Sequence, residues 1–278
     1  MGELSDEIAA AVVQLNCQDD VASNLRMVEQ ALLDAASQGA QLVLLPENFA
    51  YFGADSQRHG VAETLGDPGA PIQRALSVLA RRFQLWIIGG GMPERNDEGL
   101  PPYNTSVAFG PDGSLRGRYR KIHLFDVSLP DVQLQESAST SPGSEVVVVD
   151  AGKAQIGLSV CYDIRFPALY QAQVARSANV LTVPAAFTRP TGEAHWEVLL
   201  RARAVECQSY VLAAGQCGEH PNSRSTYGHS MLIDPWGRVL ATCTNGPGVA
   251  LATISLAELA GIRSRMPIRS HRRDLPID

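Results

Sequence analysis

The chain has 278 residues, 45% of them hydrophobic and 19% charged, which is enough to bury a core without disulfide or metal staples. Its formal net charge of −6 excludes the basic surface that nucleic-acid binding needs, and no apolar run is long enough to span a bilayer. Two lysines, Lys121 and Lys153, stand among 23 basic residues, so arginine supplies the remainder.

In chain order, the acidic start Met1-Gly-Glu-Leu-Ser-Asp-Glu7 does not read as a signal peptide. Ile8–Leu15 is a short apolar run of strand type. Asp19 or Asp20 can cap a helix from about Val21 to Gln38, with Gly39 as its stop. Leu42–Leu45 is a buried-type strand that ends at Pro46-Glu47. Ile72–Phe83 has helical spacing, and Leu85–Ile88 is a strand that Gly89, Gly90 and Gly91 are expected to close.

Hairpin signals come next. Tyr103–Phe109 and Leu115–Tyr119 flank Gly110-Pro-Asp-Gly113, and Val146–Val149 and Gln155–Val160 flank Asp150-Ala-Gly-Lys153. A helix follows Pro167, a strand covers Val180–Val183, and a helix runs through Trp196–Cys207. Tyr210–Ala214, Tyr227–Ile233 and Arg238–Ala241 read as strands, the last two joined by the turn Asp234-Pro-Trp-Gly237. No linker, repeat or low-complexity segment interrupts this pattern, so residues 1–278 read as a single domain. Helices alternating with strands and hairpins predict a layered α/β fold. About a dozen strands exceed one ordinary sheet, which points to two packed mixed β-sheets.

In such folds reactive groups collect just beyond the carboxyl ends of strands. Glu47 follows Leu42–Pro46, Cys161 follows Ile156–Val160, and Lys121 ends Leu115–Arg120. A carboxylate to take a thiol proton, a thiol to attack a carbonyl and an ammonium to face the oxyanion make an acyl-transfer set. Taken singly, each has an ordinary structural reading: a buried core thiol, a helix-capping carboxylate and a surface ammonium. A Cys–His pair with His123 or His229 as base is the rival chemistry, and His195 reads as a hydrogen-bonded structural histidine. The five cysteines are scattered without CxxC spacing, and no His pair has helical metal-ligand spacing, so neither a metal nor a disulfide framework is expected. The glycine cluster at Gly89 lacks the dinucleotide-binding pattern.

At Leu44-Leu-Pro-Glu-Asn48, Tyr119-Arg-Lys-Ile-His-Leu-Phe-Asp126 and Ser159-Val-Cys-Tyr-Asp-Ile-Arg-Phe166 the chain resembles the nitrilase, or carbon–nitrogen hydrolase, superfamily. His123-Leu-Phe-Asp-Val127, Glu136-Ser137, Ala194-His-Trp-Glu-Val-Leu-Leu-Arg-Ala-Arg203 and Tyr227-Gly-His-Ser-Met231 make it similar to the Nit branch. The scattered cysteines and the acidic start place the chain in a reducing compartment, the cytoplasm. The resemblance implies a four-layer α-β-β-α sandwich, a homodimer, and cofactor-free hydrolysis of a small non-peptide amide through a thioester. It makes Glu47 the general base, Lys121 the oxyanion stabiliser, Cys161 the nucleophile and Tyr162 the backbone donor to the oxyanion. It also brings Glu136 to the lysine and cysteine, although Gln133–Thr140 by itself reads as a solvated loop.

Arg165, four residues after the cysteine, could grip a substrate carboxylate or pair with Asp163; the resemblance favours a 2-oxo acid, with Thr191 and Phe187 in the same pocket. Two reactions compete on this reading. One cleaves the keto analogue of glutathione to 2-oxoglutarate and Cys-Gly; the other hydrolyses 2-oxoglutaramate to 2-oxoglutarate and ammonia. The text His195–Ala204 and Gln216-Cys-Gly218 looks nearer the first. An N-carbamoyl substrate, or a catalytically silent binding protein, are the remaining readings.

Overall fold

The computed structural model describes residues 2–129 and 132–273. In chain order the elements are β1 (Glu7–Gln14), α1 (Val21–Ser37), β2 (Leu42–Leu44), α2 (Arg58–Val61), α3 (Pro71–Phe83), β3 (Trp86–Glu94), β4 (Tyr103–Phe109) and β5 (Leu115–Arg120). There follow β6 (Asp126–Leu129), β7 (Val132–Gln135), β8 (Val148–Ala151), β9 (Ala154–Gly157), α4 (Pro167–Ala175), β10 (Val180–Ala185), α5 (Arg189–Cys207) and β11 (Tyr210–Gly215). The chain closes with β12 (Cys217–His220), β13 (Arg224–Tyr227), β14 (Met231–Ile233), β15 (Val239–Thr242), β16 (Gly248–Ser255), α6 (Leu256–Arg265) and α7 (Ile268–His271).

Two six-stranded sheets form, ordered β16-β1-β2-β3-β4-β5 and β15-β14-β11-β10-β9-β8. Each has three parallel strands at its centre, β1-β2-β3 and β9-β10-β11, flanked by antiparallel ones. The alternation of side chains along β1 explains the layering. Ala10 and Val12 face the second sheet and join Ile156, Val180 and Leu212 in one core; Ala11 and Val13 face the other way and pack with Val28, Leu32, Ile72 and Leu76 of α1 and α3. Trp196, Leu200 and Ala204 of α5 cover the far side of the second sheet. The result is the four-layer α-β-β-α sandwich that the sequence resemblance implies.

Local chemistry sets the boundaries. The Asp20 carboxylate accepts the Ser23 N–H at 2.8 Å and starts α1, which buries Asn24, Val28, Leu32 and Ala35 along one stripe. Asp234 accepts the N–H groups of Trp236 and Arg238, making the expected tight turn. Among the described residues no helix is long and apolar enough to cross a membrane.

Three expectations need correction. The glycines do not close β3, which continues through Gly89, Gly90 and Gly91 to Glu94 with a register shift against β4. A β-carbon on Gly90 would collide with the Leu45 carbonyl and Pro184, and one on Gly91 would lie 2.6 Å from Asn104 Oδ1. These glycines admit neighbouring chain instead of breaking the strand. Second, Tyr227–Ile233 is not one strand: Gly228 and His229 both take positive φ and divide β13 from β14. Third, β16 and α6 lie beyond the last predicted element. β16 pairs with all eight residues of β1 at the sheet edge, where partial exposure hides the period-two pattern.

Candidate active site

The two sheets bring Glu47, Lys121 and Cys161 to one cavity of about 610 Å³. Glu47 sits three residues past β2, next to Asn48, whose positive φ of 59° turns the chain sharply. Its side chain is buried and fully engaged. Oε1 accepts from Asn104 Nδ2 at 2.9 Å and Lys121 Nζ at 3.1 Å, while Oε2 accepts from the Ala186 N–H at 2.9 Å. Gln216, just after β11, donates Nε2 to the Glu47 carbonyl at 2.9 Å, so the second sheet holds this backbone too.

Lys121 follows β5 and is 1% exposed. Besides Glu47, its ammonium reaches both oxygens of Glu136, at 3.0 and 2.8 Å. Glu136 heads a short 3₁₀ turn after β7 and also accepts the Phe125 N–H at 2.7 Å. The solvated-loop reading of its local sequence is therefore wrong, and the convergence implied by the family resemblance is what the fold produces. An ammonium has three N–H groups. They meet three carboxylate oxygens, one on Glu47 and two on Glu136, so a ligand oxygen here would take over one of the two Glu136 contacts.

Charge and burial act together here. Burial alone would lower the Lys121 pKa, but Glu136 and Glu47 more than reverse this and raise it above the usual lysine range. Burial likewise opposes ionisation of Glu136, yet Lys121 and the Phe125 N–H hold it below the ordinary carboxylate value. Around neutral pH both are charged.

Cys161 opens a 3₁₀ turn, Cys161–Arg165, with φ of 52°, a conformation that costs a non-glycine residue on the order of 1–3 kcal/mol. The turn is clamped by Asp163, whose fully buried carboxylate accepts from Tyr119 Oη, the Val160 N–H and both the N–H and Nδ1 of His123. Tyr119 and His123 bracket Lys121 in sequence, so one carboxylate ties the lysine segment to the cysteine turn. The Tyr162 N–H precedes the first bonded donor of that turn, Asp163 N to Val160 O, and belongs to its unpaired beginning. Burial, followed by the Glu47 carboxylate, pushes the Cys161 thiol well above its ordinary pKa, against the pull of Lys121. At rest it is a thiol, so attack needs a base.

The histidine alternatives fall away on geometry. His123 is spent on Asp163 and stacks on Phe166, His229 is turned to the Tyr227 carbonyl, and neither lines the cavity. His195, on α5, meets Arg165 Nη2 at 3.1 Å. Arg165 does not pair with Asp163, and among the described residues no carboxylate lies within ion-pair distance of it. It lies beside the rings of Tyr162 and Phe187 in a narrow second pocket with Thr191. Lys153 lies at the surface, paired with Asp6. Among the described residues no group of three or more His, Cys, Asp or Glu side chains could hold a metal.

Residues 9–264 match the family described as carbon-nitrogen hydrolase. The chain belongs to the carbon–nitrogen hydrolase family. It is thus a hydrolase acting on C–N bonds of linear amides. Similar proteins include deaminated glutathione amidase of Homo sapiens, 44% identical over 95% of this chain and 81% of the relative. Among solved structures, the NitFhit protein of C. elegans superposes with a TM-score of 0.89 at 37% identity, over 96% of this chain and 65% of that one. Saccharomyces cerevisiae Nit3, a member of branch 10 of the nitrilase superfamily, gives a TM-score of 0.88 at 31% identity over 98% of both chains.

Within this carbon–nitrogen hydrolase, sequence reading missed Asn104, the Ala186 N–H, Gln216 and Arg58. A polar Asn104 one residue before buried Thr105 was a usable signal, because β4 pairs with β5 and thereby sets Asn104 beside Lys121. Gln216 stood only within the family-like text Gln216-Cys-Gly218, with nothing to mark it as a site residue, and the other two carried no signal.

Proposed function

We propose that this hydrolase cleaves the amide of a 2-oxo acid, deaminated glutathione, to 2-oxoglutarate and Cys-Gly. The observation that carries the mechanism is the Lys121 ammonium held between Glu47 and Glu136 in the cavity that Cys161 lines. As the thiol attacks the amide carbon, Glu47 takes its proton. The oxyanion forms between the Tyr162 N–H and a Lys121 N–H that turns to it from one of the two Glu136 oxygens, a contribution of the kind worth about 10²–10³ in rate. Collapse breaks the C–N bond, and the proton on Glu47 passes to the departing amine of Cys-Gly. A thioester remains on Cys161. Glu47 then deprotonates water, which attacks the thioester and releases the acid; the proton returns to the sulfur. Glu136 stays ionised and orients Lys121.

Arg165, facing no carboxylate of the described chain, supports recognition of the 2-oxo acid's carboxylate by a bidentate guanidinium, beside Phe187 and Thr191. The size of the main cavity favours a dipeptide leaving group over the ammonia released from 2-oxoglutaramate. The 41–44% identity to deaminated glutathione amidases of mammals supports the same choice. We further place the enzyme in the cytoplasm, as its scattered cysteines suggest, and make it a homodimer of single-domain protomers, the homodimer being what the family resemblance implies. Rates measured side by side on deaminated glutathione and 2-oxoglutaramate test the substrate, with the first expected to be faster. Cys161→Ala is expected to abolish turnover of both; full activity in that variant would overturn the mechanism.

A further inference from the structure

Arg58 begins α2, is 7% exposed and lines the main cavity. Its one described hydrogen bond is long, from Nη1 to Asn48 Oδ1 at 3.4 Å. Nε and Nη2 are buried with no partner, and among the described residues no carboxylate lies within ion-pair distance. A buried charge in this condition is costly unless something completes it. Three further buried polar atoms on the walls of that cavity lack partners: the hydroxyls of Thr140 and Ser225, and Asn104 Oδ1, which belongs to the catalytic cluster because its amide nitrogen donates to Glu47 and Glu136. Arg224 lines it too, but is already paired with Asp55 at 2.7 Å. A donor-only fork with two hydroxyls is a set suited to an anion.

Position decides which anion. Arg58 lines the main cavity and Arg165 the narrow pocket, and the two spaces meet at Phe125, Cys161, Ala186 and Thr188. With the acyl carbon on Cys161, one arginine belongs to each space. We propose that Arg58, with Thr140 and Ser225, binds the terminal carboxylate of the leaving amine and so selects amides whose leaving group is an anionic, dipeptide-sized amine. This rests on the substrate reading above, in which Arg165 takes the carboxylate of the acyl half. Binding would exchange the long Asn48 contact for charge-assisted hydrogen bonds. It would also explain why a charge is buried here with only the Asn48 contact, beyond the longer-range pull it exerts on Glu136.

The test is a ratio. Deaminated glutathione and its C-terminal glycinamide analogue differ only in the carboxylate assigned to Arg58. The unaltered enzyme is expected to prefer the carboxylate by about 10- to 100-fold in kcat/KM, mainly through KM. Arg58→Met should bring that ratio close to one, and Arg58→Lys, which keeps charge but loses the fork, should fall between. A ratio near one in the unaltered enzyme, or one that Arg58→Met leaves intact, overturns the proposal. If the unaltered enzyme turns over neither compound, the substrate reading fails instead. The subsite is then tested directly by calorimetric binding of Cys-Gly against Cys-glycinamide. Tighter binding of Cys-Gly that disappears in Arg58→Met supports it, and equal binding overturns it. Thermal melting of each variant separates loss of binding from loss of fold.

Discussion

The two lysines of the chain are the same side chain in opposite surroundings. Lys153 sits in the turn between β8 and β9, its side chain 63% exposed and paired with Asp6, whose side chain is 51% exposed. Lys121 is buried between two carboxylates that have few other ways to be neutralised. Water screens the first pair almost completely. It does nothing for the second, where removing the ammonium would leave two buried negative charges facing each other. Identity of residue therefore says little; what surrounds the charge decides whether it is decoration or mechanism.

Substitutions can break this contrast. Lys121→Arg should lower kcat by at least about 10²–10³, because a planar fork cannot direct one N–H at the oxyanion while satisfying both carboxylates in the space of an ammonium. Steady-state kinetics on any turned-over amide will show it. Glu136→Gln should cost less, about 10- to 100-fold, since Glu47 still holds the lysine on one side. The same variant carries a pH signature. Glu136 has its folded pKa depressed, so its stabilisation is present above the usual carboxylate value of 4.5 and is lost as pH falls through the lower folded value. The Tm deficit of Glu136→Gln should accordingly be full at pH 7 and vanish in acid.

A smaller effect reads the cysteine. The rate of Cys161 alkylation by iodoacetamide should still be rising at pH 9, because burial and Glu47 raise its pKa well above that ordinary value. Glu47→Gln should move the rise to lower pH. A wild-type plateau below pH 8 would mean a resting thiolate and would sink the base role given to Glu47. Lys153→Arg, at the other end of the scale, should change neither kcat nor Tm measurably; a large loss there would erase the contrast between the lysines.

How much of this the sequence disclosed depended on how local the cause was. The Asp20 cap, the hairpin at Gly110–Gly113 and the apolar run of β1 act within a few residues, and all were readable. Gly89–Gly91 misled because a glycine's need for space comes from chain far away, here Leu45 and Pro184, and from sequence it looks the same as a strand terminator. Glu136 looked solvated because its partners, Lys121 and Phe125, lie across a ribbon whose pairing no periodicity announced. Arg58 is one arginine among many, and only the lack of a partner distinguishes it. The family resemblance supplied Glu136 and not Arg58.

Glu47 and Lys121 extend from strands of the first sheet, whereas Cys161, the Ala186 N–H and the Gln216 amide belong to the second. The reacting groups thus meet across a seam between two sheets, filled by side chains such as Val12, Leu44, Ile156 and Val183 and stitched by backbone bridges at Leu4–Gly152 and Leu15–Gln216. Turnover is consequently a gauge of how those layers are aligned. Shrinking a side chain in the seam lets one layer slide by a fraction of an ångström while every strand keeps its ladder. Activity should then fade while circular dichroism still reports an intact protein.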